Sequence, residues 1–348
     1  MEEKKEIPGM LDLIAEPGFC VINEIITAVN PAAQAMFISA GTSVTELLLT
    51  GLEEYRAFQG GTLYLTLSLG NLPHKATVTR VNGADIFLLE SEAEAEPFRA
   101  LALAARELRK PLSGMMLSTD SLLDQEDPAL QQTAAQLNQG LYQLLRIIGN
   151  MSDSGQYGMG FRPETVEINS LIREISQKAA QLAQPTGITV NFTGLSAPVY
   201  SQADPAQLQQ AVLNILSNAL KFTPAGGTVE IRLTRREQML QLQITDSGSG
   251  IAENVRSGLF RRHLRQPAIE DSRFGIGLGL VLVRNAAANH GGTVLIDQPQ
   301  NAGTRVTLTL PIRSGSSLHC PVVLPKPIQS YDPFLVALSE CLPPEAYR

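Results

Sequence analysis

Two apolar stripes of seven rungs each, advancing alternately by four and three residues, constrain this chain more than any other feature. Leu101, Ala105, Leu108, Leu112, Met115, Thr119 and Leu122 form the first, and Leu130, Ala134, Leu137, Leu141, Leu144, Ile148 and Met151 the second. That spacing keeps one helix face apolar along its whole length, as helices that pack lengthwise against others require. Asp127-Pro128 between the stripes is a helix-start signal and marks a hairpin turn. Two helices alone cannot bury both stripes, so a four-helix bundle assembled from two chains is expected. Residues 96–158 thus read as a dimerisation hairpin, followed by a hinge in the Gly- and Ser-rich stretch Ser152 to Gly160.

At 348 residues the chain has room for further compact units on either side. Residues 1–95 read as a small α+β unit. Phe19 to Val29 forms two short strands around Asn23-Glu24, and Asn30-Pro31 opens a short helix through Phe37. Leu63 to Leu69 alternates like a half-buried strand, and Ala76 to Val81 and Ile86 to Leu89 flank the hairpin signal Asn82-Gly83. Residues 159–313 alternate strands with helices: strands at 165–168, 188–192, 228–233, 240–245, 293–296 and 304–310, and helices at 169–183, 204–222 and 278–289. This alternation predicts a two-layer α/β sandwich with a mixed sheet. The tail, 314–348, is proline-rich, with a short helix opened by Asp332-Pro333; it reads as an appendage packed on its own domain.

Three stretches of the sandwich carry chemistry. Asp246-Ser247-Gly248-Ser249-Gly250 follows a predicted strand, where a carboxylate can accept from an exocyclic amine and glycines let backbone pass against a flat base. Phe274-Gly275-Ile276-Gly277-Leu278-Gly279-Leu280 is a second glycine cluster that opens a helix, whose free amides favour phosphate. No strand immediately precedes it, so a dinucleotide-binding crossover is disfavoured, and the polar stretch Arg261 to Arg273 suits a lid. On the 204–222 helix, Asn214 and Asn218 share a face at i, i+4, with Lys221 on the same side. Amide oxygens there suit a Mg²⁺ that keeps most of its waters and shares a triphosphate, and the lysine suits phosphate.

Together with Asn289-His290-Gly291-Gly292 and the run Gly303 to Pro311, these stretches resemble the ATP-binding domain of sensor histidine kinases, the Bergerat fold. The resemblance implies ATP and Mg as cofactors. It gives Asp246 to adenine, Asn218 with Asn214 to the metal, and Lys221 to phosphate. Gly248, Gly250, Gly275, Gly277, Leu278, Gly279 and Thr304 shape the pocket, and Leu259-Phe260 anchors the lid. Ahead of the hairpin, Ile25 to Gln34 resembles a divergent PAS sensor domain, whose only histidine, His74, and only cysteine, Cys20, read as packing or surface residues.

The same resemblance makes Ala105 to Leu112 the phosphoacceptor box, with one decisive departure. Glu107 and Pro111 match, whereas Arg106 stands where the family has histidine and Lys110 stands where a threonine or asparagine aligns water for dephosphorylation. A guanidinium is protonated at physiological pH and offers only donors, so it cannot attack phosphorus. His263, His290 and His319 lie elsewhere and do not replace the missing group.

Bulk properties narrow the partners. A net charge of −7 argues against coating nucleic acid or anionic membranes, and three cysteines far apart in sequence, Cys20, Cys320 and Cys341, support neither a disulfide framework nor a zinc site. The charged start Met1 to Glu6 and the lack of an apolar run of about 20 residues predict a cytoplasmic protein. The leading expectation is a homodimer, or a heterodimer with an intact histidine kinase, that binds ATP without phosphorylating itself and engages a response regulator as a pseudokinase. Two alternatives stay open: an ATP domain that phosphorylates histidine on another chain, and a scaffold whose conformation nucleotide sets.

Overall fold

A computed structural model describes residues 11, 14–81, 83–90, 95–154, 160–250, 278–299, 303–313 and 331–347. In the N-terminal unit, β1 (Gly18–Ile22) turns into β2 (Ile25–Val29) through Asn23 and Glu24, whose φ of 53° and 63° is the left-handed geometry of a tight hairpin. Asn30 caps α1 (Pro31–Ala35). Its Oδ1 accepts from the amides of Ala33 at 2.9 Å and Gly18 at 3.0 Å, while Nδ2 donates to the carbonyls of Leu11, Ile14 and Glu16. One buried amide thus ties the chain's start to the sheet. After α2 (Leu52–Arg56) come β3 (Thr62–Leu69), β4 (Leu72–Val81) and β5 (Ala84–Leu89), giving the antiparallel order β2-β1-β5-β4-β3. Phe19 stacks on Phe87 at 4.8 Å and Tyr55 meets that ring edge-on at the centre of the unit.

The two stripes form α3 (Ala95–Leu123), which runs through Pro111, and α4 (Pro128–Ser154). Their rungs divide in two. Ala105, Leu112 and Thr119 on α3, and Ala134 and Ile148 on α4, are buried within the hairpin. Leu108, Met115, Leu122, Leu130, Leu137 and Leu144 are exposed, several by about half of their surface. Of the expected linker, residues 152–154 continue α4 and 155–159 lie outside the described residues.

Beyond it, β6 (Glu164–Glu167) leads into α5 (Ile168–Ala183), capped by Glu167 through the amides of Asn169 and Ser170. Next come β7 (Thr189–Thr193), β8 (Tyr200–Ala203) and α6 (Pro205–Phe222), with Asp204 as the cap of α6 and Pro205 at its first position. Then follow β9 (Thr228–Arg236), β10 (Met239–Asp246), α7 (Leu278–His290), β11 (Val294–Asp297) and β12 (Arg305–Pro311). Alternation of buried residues through Leu233 in β9 and throughout β10 turns one sheet face to the helices, and Leu171, Leu208, Val212, Leu216, Val283 and Leu308 fill the layer between.

The structure departs from sequence expectation in three further places. β8 was not expected; it pairs with β6 in a separate two-stranded ribbon. The N-terminal sheet and the sandwich sheet are also not separate, because β3 pairs antiparallel with β11, Val294 opposite Tyr64 and Ile296 opposite Thr62. The result is one ten-stranded sheet in which each unit covers the other's edge. Gly61, at φ 93°, lies so close to the Ile296 carbonyl that a Cβ would clash with it. The joint is backed by α7: Arg284 pairs with Glu90 and stacks over Tyr64, and Asn285 accepts from Lys75. Finally, the tail segment containing α8 (Pro333–Ala337) packs on α4 as well as on the sandwich. Among the described residues no helix is long and apolar enough to cross a membrane.

Candidate nucleotide site and altered helix box

Asp246 ends β10 and is buried. Its Oδ1 accepts from the amides of Gly248 at 2.8 Å and Thr304 at 3.1 Å. Burial pushes the carboxyl above its ordinary value, against the opposing pull of those two amides. Among the described residues Oδ2 has no hydrogen-bond partner, so one oxygen is fixed by backbone while the other can serve a ligand. The strand ends around it are stitched together: Gly303 donates to the Asp246 carbonyl at 2.8 Å, and Asp246 donates to that of Thr304 at 2.9 Å.

Gly303 was not among the expected site residues, yet the geometry at Asp246 depends on it. A Cβ there would overlap Asp246 Oδ1 and crowd the amide and carbonyl of Gly248. Only its place beside Thr304 in the motif could have signalled this. Gly248 is equally confined, because a Cβ on it would strike the Phe222 carbonyl at the end of α6. That contact brings the Asp246 loop against the helix that carries the asparagines. Gly250, at φ 71°, lies beside Gln298.

On α6, Asn214 is buried and donates from Nδ2 to the Gln210 carbonyl at 3.0 Å. Its Oδ1 lies where a Cβ on Gly279 would come within 3.0 Å, so the start of α7 rests on it. Asn218 is the one exposed residue between Ala211 and Leu220. Lys221 Nζ does not stand free: it donates to Glu340 Oε2 at 2.6 Å. Among the described residues no group of three or more His, Cys, Asp or Glu could hold a metal ion. The neutral amide oxygens of Asn214 and Asn218 are of the kind that suit a hard cation which keeps most of its waters. Gly275, Gly277 and the lid anchor Leu259-Phe260 lie outside the described residues, as does the side chain of Leu278.

Residues 203–314 match the family of histidine kinase-, DNA gyrase B- and HSP90-like ATPases. The sensor histidine kinase RppB of Synechocystis sp. is 28% identical over 225 residues, which cover 63% of this chain and 50% of RppB. The histidine protein kinase DivJ of Caulobacter vibrioides is 32% identical over 225 residues, covering 62% of this chain and 37% of DivJ. The chain carries an ATP-binding domain of the kind found in histidine kinases. Its ATP-binding domain is of the Bergerat type. The crystal structure of full-length ShkA in complex with AMPPNP shares the fold, with a TM-score of 0.50 and 24% identity over 63% of this chain and 46% of that one. The chain thus spans half or less of the length of these histidine kinases.

Arg106 and Glu107 lie exposed on α3, one and two residues past the buried Ala105. Lys110 stands on the same helix, with its side chain outside the described residues. Of the other histidines, His290 is buried at the end of α7, where Nε2 accepts from the Asp204 amide at 2.9 Å and Nδ1 lies 2.7 Å from the Ala286 carbonyl. Those contacts assign it a structural task. His263 and His319 lie outside the described residues.

Proposed function

We propose that this chain is a signalling member of the histidine kinase family that binds ATP with Mg²⁺ but does not phosphorylate itself, acting as a pseudokinase or regulatory partner in a phosphorelay. One juxtaposition carries the reading. A buried, backbone-clamped Asp246 and an asparagine-bearing helix share a chain with an acceptor-like helix that exposes Arg106. Asp246 Oδ2 would accept from the adenine amine, Lys221 would meet phosphate, and Asn218 with Asn214 would hold the metal, which neutralises phosphate charge when bound. Arg106 supplies no lone pair for attack, so the chain's own helix offers no acceptor. Its charge suits the acidic phosphorylation pocket of a response regulator. Residues 1–95 would act as a PAS-like sensor, a reading supported by the strand order β2-β1-β5-β4-β3.

The exposed rungs of α3 and α4 favour pairing with a second hairpin, either of this chain or of an intact kinase. That pairing leaves room for a second reading, in which the ATP domain phosphorylates a histidine on its partner. Incubation with radiolabelled ATP separates the two. The expected result is no label on the chain alone and label on Arg106→His, whose helix regains a nucleophile. Label on the unmodified chain would sink the pseudokinase reading. Label on a histidine-bearing partner with a dead ATP site would favour transfer in trans.

A further inference from the structure

The C-terminal segment 331–347 crosses from the hairpin to the nucleotide domain. Phe334, Leu338, Leu342 and Tyr347 are buried in the same apolar core as α5 and α6. The segment is also stitched to α4: Gln139 donates to the Leu342 carbonyl at 2.7 Å and Gln143 to that of Ser339 at 3.1 Å. On α6 it touches the turn that carries the asparagines, where Cys341 Sγ donates to the Ser217 carbonyl at 3.2 Å. Between these anchors sits Glu340. One of its oxygens lies 2.9 Å from Arg146 Nη1 on α4 and the other 2.6 Å from Lys221 Nζ on α6.

If Lys221 meets nucleotide phosphate as proposed above, it has two anions to serve in turn. A phosphate drawn to its ammonium would arrive beside a carboxylate that already holds it, and the two negative charges repel each other at a half-buried site that water screens weakly. We propose that residues 331–347 form an autoinhibitory strap in which Glu340 withholds Lys221 from nucleotide phosphate, so that nucleotide binding and strap docking oppose each other. This rests on the nucleotide reading above. Linkage makes the effect reciprocal: whatever factor the docked strap takes from nucleotide affinity, bound nucleotide takes from docking. The strap's apolar side chains and amide contacts do not involve Glu340, so neutralising that residue frees Lys221 without removing the rest of the segment.

The full chain provides the test, with AMPPNP and Mg²⁺ as the probe. By calorimetry, Glu340→Gln is expected to bind AMPPNP at least about fivefold more tightly than the unmodified chain, the lower end of typical coupling. Saturating AMPPNP is expected to speed amide hydrogen exchange across 333–347 in the unmodified chain, a measurement that needs no variant. Equal or weaker binding by Glu340→Gln, or exchange across the strap that is unchanged or slowed by nucleotide, would overturn the proposal. Failure of the nucleotide reading looks different: neither the unmodified chain nor Glu340→Gln would bind AMPPNP at all, and the strap proposal would fall with it.

Discussion

Asp246 and His290 are both buried titratable residues, and the chain treats them differently. Asp246 keeps one oxygen clamped by the amides of Gly248 and Thr304 and the other without a partner among the described residues. Asp246→Ala removes a charged acceptor, a contact of about 1.5–3 kcal/mol, so nucleotide affinity should fall by about tenfold or more. Asn218→Ala should lower the affinity measured with Mg²⁺ more than that without it. Titration calorimetry checks both, and unchanged affinity in both variants would refute the site. His290, in contrast, has both nitrogens engaged, and since Nε2 faces the Asp204 amide it must be the acceptor, leaving the proton on Nδ1. Burial pushes its pKa below the ordinary value, outweighing the Ala286 hydrogen bond and Asp204, while Arg313 adds to the lowering. A depressed histidine favours the neutral form, so its stabilisation is complete above the unfolded value of about 6.5 and is lost as pH falls below that. The slope from this group is at most about 1.4 kcal/mol per pH unit. Urea midpoints at pH 7.5 and 5.5 should differ less in His290→Gln than in the unmodified chain.

At the scale of elements, the hairpin shows how a periodic pattern is spent. The heptad spacing placed both helices and the turn at Asp127-Pro128, because helix geometry is local and 3.5-residue repetition leaves few alternatives. Which rungs face inward is a packing matter. Ala105, Leu112, Ala134 and Ile148 close the hairpin, whereas Leu108 at 49%, Met115 at 58% and Leu137 at 52% exposure lie on its open side. Burying a leucine is worth about 1.5–3 kcal/mol, so a row of six exposed rungs is a strong drive to associate. Replacing Leu108 and Leu137 together by glutamate should convert dimer to monomer in sedimentation velocity and leave helix content unchanged. A chain already monomeric before the change would refute the bundle. Pro111 belongs to the same scale: it lacks the amide that would bond back to Glu107, so α3 is locally weakened between those residues.

For the molecule as a whole, the ten-stranded sheet and the strap fix the nucleotide domain from two sides. Gly61→Val should disrupt the β3–β11 joint, since its φ of 93° and the Ile296 carbonyl leave no room for a side chain. Hydrogen exchange should then quicken in 294–297 while β9 and β10 stay protected; equal quickening throughout would mean the joint is no separate unit. None of this contact was legible beforehand, because β3 and β11 are about 230 residues apart and pairing at that distance leaves no periodic trace. The proline-rich tail gave no hint that Glu340 would reach Lys221 for the same reason: an ion pair between remote segments needs the intervening folds in place. What the residues determined alone were local matters, namely caps at Asn30 and Asp204, helix periodicity, the turn at Asn23-Glu24, and the motifs that bring Asp246 to a strand end and Asn214 and Asn218 to one helix. Their chemistry follows from side-chain type and short-range geometry. Tertiary structure alone decided which edges meet, which half of each stripe remains open, and that Lys221 already holds the Glu340 carboxylate, since each depends on contacts that close only when distant parts of the chain pack together.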